Sequence, residues 1–487
     1  MTFDNSYARL PERFYSRVEP ASVPAPVLLA FNDGLAGELG LDALADGDEA
    51  LAAVFAGNQV PAGAEPIALA YAGHQFGQFV PQLGDGRAVL LGEVVGADSV
   101  RHDVQLKGAG RTPYSRGGDG RSSIGPVIRE YLLSEAMHAL GVPTTRALAA
   151  VYTGQKVYRD TALPGGVFTR VAASHIRIGT FEYFAARGDV AGLKTLADYA
   201  ISRHYPELAD DDRPYAAFFS AVVAAQVRLV AHWMDIGFIH GVMNTDNTAV
   251  SGETLDYGPC AFMDEFHANK VFSSIDHGGR YSYANQPQIL QWNLARLAEC
   301  LLLLDTDRRR FETELMGLPS RYEAEYLARM RRKLGFTPRK RDDSQGDSNG
   351  NSHDDPRGDS ALLRDWLRQL QKRELDYTLS FRELADRIDA SDAPRFGTFE
   401  TDWKQRLATQ GESGDQIRAR MNSVNPLFIP RNHQIERAIQ GAIEGNLSVF
   451  HELREVLSRP FETQPQFAEY AQPPLPGERV TQTFCGT

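Results

Sequence analysis

The chain has 487 residues, of which 43% are hydrophobic and 23% charged, a composition that fits a globular protein with a large buried core in about three domains of roughly 150 residues. A formal charge of -12 disfavours broad attachment to nucleic acid or anionic lipid, both of which need surplus Lys and Arg. No uninterrupted apolar run reaches the length of about 18 residues needed to cross a bilayer, so neither nucleic acid nor membrane is expected as a partner.

The opening stretch MTFDNSYARLPERFYSRVEP has no apolar secretory core and carries acids, which predicts no targeting peptide and a cytoplasmic location. Residues 1–70, mixed and rich in Ala, Pro and Gly, read as an extension packed on the core. From 71 to 160, short apolar runs such as Ala88-Val89-Leu90-Leu91 and Val104-Gln105-Leu106 alternate with Gly-rich turns, the pattern of strands and hairpins. A helix interrupts them from about 126 to 140, closed by Gly141.

Two features of this segment suit phosphate. Gly84-Asp85-Gly86-Arg87 lies between apparent strands, where glycines let backbone N–H groups approach an anion, although an Asp-Gly pair also makes a plain hairpin turn. Lys107 ends the next strand ahead of Gly108-Ala109-Gly110 and can hold a polyphosphate as a point charge, or simply sit solvated at a strand end. Glu130 and Glu135 on the following helix are both candidate partners for that lysine, and periodicity does not choose between them.

Further on, Phe219, Val223, Val227, Val230 and Trp233 recur at helical steps, predicting a long amphipathic helix that ends near Gly237. The loop after it, His240-Gly241-Val242-Met243-Asn244-Thr245-Asp246-Asn247, is followed nine positions later by Asp256-Tyr257-Gly258. Asn and Asp oxygens suit hard divalent cations, and Asp246 stands beside them as a proton acceptor. The same residues also build ordinary hydrogen-bonded turns.

Residues 337–360 are polar, charged and nearly free of apolar side chains, which predicts a disordered insertion. Residues 361 to about 470 return to helical patterning, and a Pro-rich stretch with Cys485 forms the tail. Cys260, Cys300 and Cys485 match no zinc or disulfide framework. Cys300 lies in the run Leu-Ala-Glu-Cys-Leu-Leu-Leu-Leu and reads as a buried thiol. Cys485, near the end of the chain, is a redox candidate whose nearest partner in sequence is Cys260, just beyond the Asp256-Tyr257-Gly258 turn.

The order of parts (Gly-rich turn, strand lysine, helix glutamate, catalytic loop with Asn, then Asp-aromatic-Gly) is that of the protein kinases. Kinases, however, place His-Arg-Asp where this chain has His240-Gly241-Val242, which counts against ordinary phosphotransfer. HGVMNTDN, DYGP, the RTPYSRGGDGRSS loop, GGVFTRVAASHIRIGTFE and the final Cys-Gly-Thr together resemble the selenoprotein O (SelO) family of kinase-like adenylyltransferases, over nearly the whole chain.

The resemblance implies an α+β, bilobed protein-kinase-like fold: an N-terminal extension (1–70), an N-lobe (71–160), a C-lobe (161–336) carrying the catalytic loop, the insertion (337–360), and additional C-terminal helices with the tail (361–487). It implies ATP as co-substrate, bound in a flipped orientation with its β- and γ-phosphates buried, and Mg2+ or Mn2+ as cofactor. Residue by residue, it implies nucleotide contacts from Gly84, Gly86, Arg87, Asp119, Gly120 and Asp256, with Lys107, oriented by Glu130, on the buried phosphates. Arg170 and Arg177 supply further positive charge, Asn247 and Asp256 bind metal, and Asp246 accepts the proton. The implied activity is transfer of AMP to Ser, Thr or Tyr hydroxyls of protein substrates with release of pyrophosphate, linked to redox homeostasis. In vertebrate relatives selenocysteine stands at the position of Cys485. The competing readings are a protein kinase, a non-catalytic pseudokinase scaffold, and transfer of UMP.

Overall fold

In the computed structural model, which describes residues 3–41, 44, 46–337 and 358–484, the apolar runs of the first third form one antiparallel sheet. Its strands are β1 (Tyr15–Arg17), β2 (Val27–Phe31), β3 (Ile67–Leu69), β6 (Ala88–Val95), β7 (Arg101–Lys107), β8 (Ser122–Ser123), β9 (Arg146–Tyr158) and β10 (Ala162–Ala172). They lie in the order β1-β3-β6-β7-β10-β9-β2, with β8 paired to β10. β4 (Gly73–Gln75) and β5 (Gln78–Val80) make a separate small hairpin. The first 70 residues therefore do more than pack on the sheet: β1 and β3 extend one side, and β2 forms the opposite edge beside β9.

Both faces of this sheet are covered, which is why β7 is buried from Asp103 to Lys107 instead of alternating. On one face α1 (Asp33–Glu38) and α2 (Asp48–Phe55) bring Leu35, Ala36 and Phe55 against Val89, Leu91, Leu106 and Val151. On the other lies α3 (Ile124–Ala139), which begins two residues before the sequence predicts and stops at Leu140, with Gly141 at φ +78° just beyond. Ile124, Ile128 and Tyr131 of α3 pack with Ala147, Ala150 and Phe168 of the sheet.

Most of the remaining chain is helical: α4 (Ile178–Ala185), α5 (Val190–His204), α6 (Pro214–Asp235), α7 (Gln286–Leu301), α8 (Arg308–Lys333), α9 (Asp359–Lys372), α10 (Tyr377–Asp386), α11 (Thr398–Ala408) and α12 (Gly414–Asn422). A short ribbon, β11 (Phe238–Ile239) with β12 (Ala261–Phe262), joins them. The mixed architecture is α+β. By length and composition α6 could cross a bilayer, but Phe218, Phe219, Val222, Val223 and Val230 are buried in the helical core. It ends at Ile236, with Gly237 at φ +74°.

Two last helices, α13 (Asn432–Glu444) and α14 (Ser448–Leu457), return to the sheet and enclose α3 through Ile435, Ala438, Phe450 and Leu453. Buried Arg431, just before α13, bridges Asp264 at 2.5 Å and Asp376 at 2.8 Å. Of the insertion expected at 337–360, residues 338–357 lie outside the described residues, as does Cys485. The far end of that range belongs to the helical body: buried Asp359 opens α9 and pairs with Arg406 at 2.8 Å and Arg331 at 3.1 Å.

Candidate active site

Lys107 ends β7 in the wall of a cleft of about 770 Å³ between the sheet and the helical body. Its ammonium is ion-paired with Glu130 on α3 and donates to Asp256 Oδ1 at 2.9 Å. Glu135 faces elsewhere, pairing with Arg146 at 2.9 Å and accepting from Asn32. The structure thus selects Glu130 of the two acids. Asp256 adopts φ +73°, a left-handed conformation that Asp tolerates better than most non-glycine residues. Arg129, next to Glu130, donates to the carbonyls of Gly258 (2.9 Å) and Cys260 (2.5 Å), fastening α3 to the loop that carries Asp256.

Gly84, Gly86, Arg87, Lys107, Asp119, Gly120, Arg170, Arg177, Asp246, Asn247 and Asp256 all line this one cleft. Gly84 (φ +75°) lies against the Tyr114 ring, 2.3 Å from where a Cβ would stand, and a Cβ on Gly120 (φ +69°) would meet Gly110 O at 2.0 Å. Side chains are therefore excluded at both turns. Asp119 pairs with Arg159 at 2.9 Å.

Arg170 and Arg177 are both buried. Arg170, 4% exposed, donates from Nη2 to Gln105 Oε1 at 2.7 Å and from Nε to His175 Nε2 at 3.2 Å. Both partners are neutral. Arg177 donates to Asp246 O (3.1 Å) and His175 O (3.2 Å) and stacks 4.2 Å over the Tyr71 ring. Among the described residues its nearest ion-pairing carboxylate, Asp85, is 3.9 Å away, and its Nη2 has no hydrogen-bond partner.

The loop at 244–247 carries Asp246, whose Oδ2 accepts from Gln75 Nε2 at 3.0 Å while Oδ1 is buried without a partner among the described residues. Burial pushes the Asp246 carboxyl up to about 6, against the lowering effect of Gln75 and Arg177. Burial would likewise raise Asp256, but the charges of Lys107, Arg170 and Arg87 outweigh it and hold that carboxyl well below the usual range. The two acids are thus set apart: the neighbouring cations favour Asp256 as the anion, and burial favours the protonated form of Asp246.

Asn247 donates Nδ2 to Val242 O at 3.0 Å, which leaves its carbonyl oxygen as an acceptor. Among the described residues no group of three or more His, Cys, Asp or Glu could hold a metal alone. Asn247 and Asp256 form an incomplete, all-oxygen donor set, which fits a hard cation whose remaining ligands are phosphate and water oxygens. Cys260 fits its redox role less well. It is buried, donates to Tyr257 O at 3.4 Å, and burial pushes its thiol up to about 12.

Gln75, Arg129 and His175 also belong to the site, and nothing in the sequence singles them out. Gln75 meets Asp246 171 positions away, Arg129 acts through backbone carbonyls, and His175, five residues from Arg170, is oriented by Asp103 72 positions away, so spacing carries no clear signal for any of them.

The family described as protein adenylyltransferase SelO matches residues 1–458. The protein nucleotidyltransferase YdiU of Bradyrhizobium diazoefficiens is 53% identical over all of this chain and 99% of its own length. That of Rhizobium meliloti is 55% identical over 100% and 99%, and that of Nitrobacter winogradskyi 54% over 100% and 96%.

Proposed function

The chain belongs to the SelO family of protein adenylyltransferases, and from that premise we propose how its cleft moves AMP from ATP to a Ser, Thr or Tyr hydroxyl of a protein. The observation that carries the reading is Arg170. A guanidinium 4% exposed whose hydrogen-bond partners are both neutral shares the charge of Asp256 with Lys107 and Arg87, and such a surplus of cations in a buried cleft calls for an anion. Arg177, with a buried Nη2 left unpartnered, makes the same demand a few residues away.

Lys107, Arg170 and Arg177 form the pocket for the β- and γ-phosphates. ATP bound this way presents its α-phosphorus toward Asp246. The acceptor oxygen attacks that phosphorus and forms a new P–O bond, the bond from phosphorus to the oxygen bridging to the β-phosphate breaks, and pyrophosphate leaves. The hydroxyl proton passes to Asp246 Oδ1, which is buried and unpartnered. The three cations stabilise charge on the departing pyrophosphate, while Gly84, Gly86 and Gly120 let backbone approach the nucleotide. Asn247 and Asp256 would hold a divalent cation, Mg2+ or Mn2+, which would neutralise further charge on the phosphate oxygens.

A protein-kinase-like, bilobed arrangement accommodates these roles. It is supported by a strand lysine paired with a helix glutamate beside an Asp-Tyr-Gly loop. A cytoplasmic setting, where ATP is plentiful, suits Cys260 and Cys300 as free buried thiols. Incubation with ATP labelled at the α- or the γ-phosphorus tests the reading: label should enter protein from the α position alone. Transfer of γ-label would establish a kinase instead, and UTP labelled at the α-phosphorus would reveal transfer of UMP.

A further inference from the structure

We propose that Gln75 is a positioning residue for the acceptor step, holding Asp246 by one carboxylate oxygen so that the other meets the incoming hydroxyl. The inference rests on Asp246 being the proton acceptor.

The geometry comes from the β4–β5 hairpin, which lies directly on the catalytic loop. His74 N donates to Thr245 Oγ1 at 2.6 Å, and Phe76 N points at Asn244 Oδ1 and Tyr281 Oη, both 3.1 Å away. Thr245 is itself fixed by donating to Glu182 at 2.5 Å. A Cβ on Gly73 would stand 2.9 Å from Asp246 Cβ, so glycine there lets the strand lie flush against the acid. Residues 73, 74 and 76 thus each meet the loop at 244–246, and between them the Gln75 side chain reaches Asp246 Oδ2 at 3.0 Å.

The turn is built to keep that register. Gln75 pairs with Gln78 across a tight turn in which Phe76 (φ +51°) and Gly77 (φ +81°) are both left-handed. Phe76 is a bulky residue in a conformation such residues avoid, enforced by the contacts of its own N–H. A slip of one residue would send Gln75 to the other face and leave Asp246 free to rotate.

The consequence lies in what remains open on Asp246. The Gln75 amide donates to Oδ2 and cannot accept the transferred proton as a base. Oδ1 is buried and has no partner among the described residues. A buried carboxylate oxygen in want of a donor is a ready seat for an O–H group, and the acceptor hydroxyl is the donor the reaction brings.

The test uses the full-length protein, self-labelling with α-labelled ATP, and two variants: Gln75→Ala, and Gln75→Met, which keeps the side-chain volume but has no N–H to donate. Both should lower kcat about tenfold or more while KM for ATP stays within about twofold, because the defect is in orientation and not in nucleotide binding. The Tm of the Met variant should match wild type. In an Asp246→Asn background Gln75→Met should cost nothing further. An unchanged kcat in the Met variant, a loss confined to KM, or equal losses in both backgrounds would overturn the proposal. A fully active Asp246→Asn would instead defeat the proton-acceptor reading beneath it, so the two failures are distinguishable.

Discussion

Arg170 Nε donates to His175 Nε2 at 3.2 Å, so a buried guanidinium leans on an imidazole nitrogen that carries no proton. The tautomer is fixed from the other side, where His175 Nδ1 and backbone N both meet Asp103 Oδ2 at 2.9 Å. Asp103 is held in turn by Arg203 at 2.5 Å. Protonating His175 would place two cations in contact, and burial lowers its pKa to about 4.

That depression makes stability depend on pH. A histidine whose folded pKa lies below its unfolded value contributes stability that is present above about 6.5 and is lost as pH falls toward 4. Buried His204 and His232, each lowered to about 3, act in the same direction. The apo protein should therefore lose Tm steadily between pH 6.5 and 4.5, each such histidine steepening the fall by at most about 1.4 kcal/mol per pH unit. The fall should be shallower in His175→Gln. Parallel Tm profiles for wild type and variant would show that His175 is not one of the titrating groups.

Arg170→Lys should impair use of ATP despite keeping the charge, because a lysine cannot serve His175, Gln105 and a phosphate together. Ligand-induced stabilisation measures this directly. ATP with Mg2+ should raise the Tm of wild type, and the shift should shrink sharply in Arg170→Lys. Equal shifts would remove the arginine from the phosphate pocket.

Asp256→Asn should abolish transfer while leaving a folded protein. Asn tolerates the left-handed φ of +73° at this position and preserves the side-chain volume. What it removes is the anion facing Lys107, Arg170 and Arg87. Circular dichroism and a transfer assay on one sample settle the matter, and wild-type rates from the folded variant would dismiss Asp256 as a metal ligand.

Arg129→Met should slow transfer without touching nucleotide. Two buried carbonyls, of Gly258 and Cys260, lose their charged donor, a change expected to cost about 2 kcal/mol or more in stability. Urea unfolding gives the stability, and a normal transfer rate in the variant would mean that the Asp256 loop keeps its place without this clamp.

Cys260 and Cys300 should resist alkylation in the native protein, since both are buried and burial raises both thiol pKa values. Iodoacetamide labelling followed by peptide mass spectrometry distinguishes them from Cys485. Rapid native labelling of Cys260 would restore it as a partner for a reversible disulfide.

Linear order makes much of this cleft legible, because Lys107, Asp246, Asn247 and Asp256 follow one another at spacings that imply a lysine strand and two acidic loops. The choice between Glu130 and Glu135 is illegible for a physical reason. α3 is enclosed by the sheet on one side and by α13 and α14 on the other, so it has no polar stripe from which a facing direction can be read. The burial of Arg170 is equally illegible from pattern alone: β10 is buried on both faces from Gly165 onward, and a charge within it obeys no alternation. β1 and β3, three residues each, are too short to show a period. Gln75 meets an acid 171 positions away, a distance at which a single sequence has no grammar.

The enclosure of α3 also sets a timetable. Glu130 and Lys107 emerge early from the ribosome, but the helix between them and the C-terminal region gains its outer wall only when α13 and α14 have been synthesised. At about 5–20 residues per second, the nascent chain spends many seconds with the ingredients of a nucleotide site and a helix covered on its sheet side alone. Competence to consume ATP thus arrives near the end of translation, and a chain cut short before α13 would be born silent.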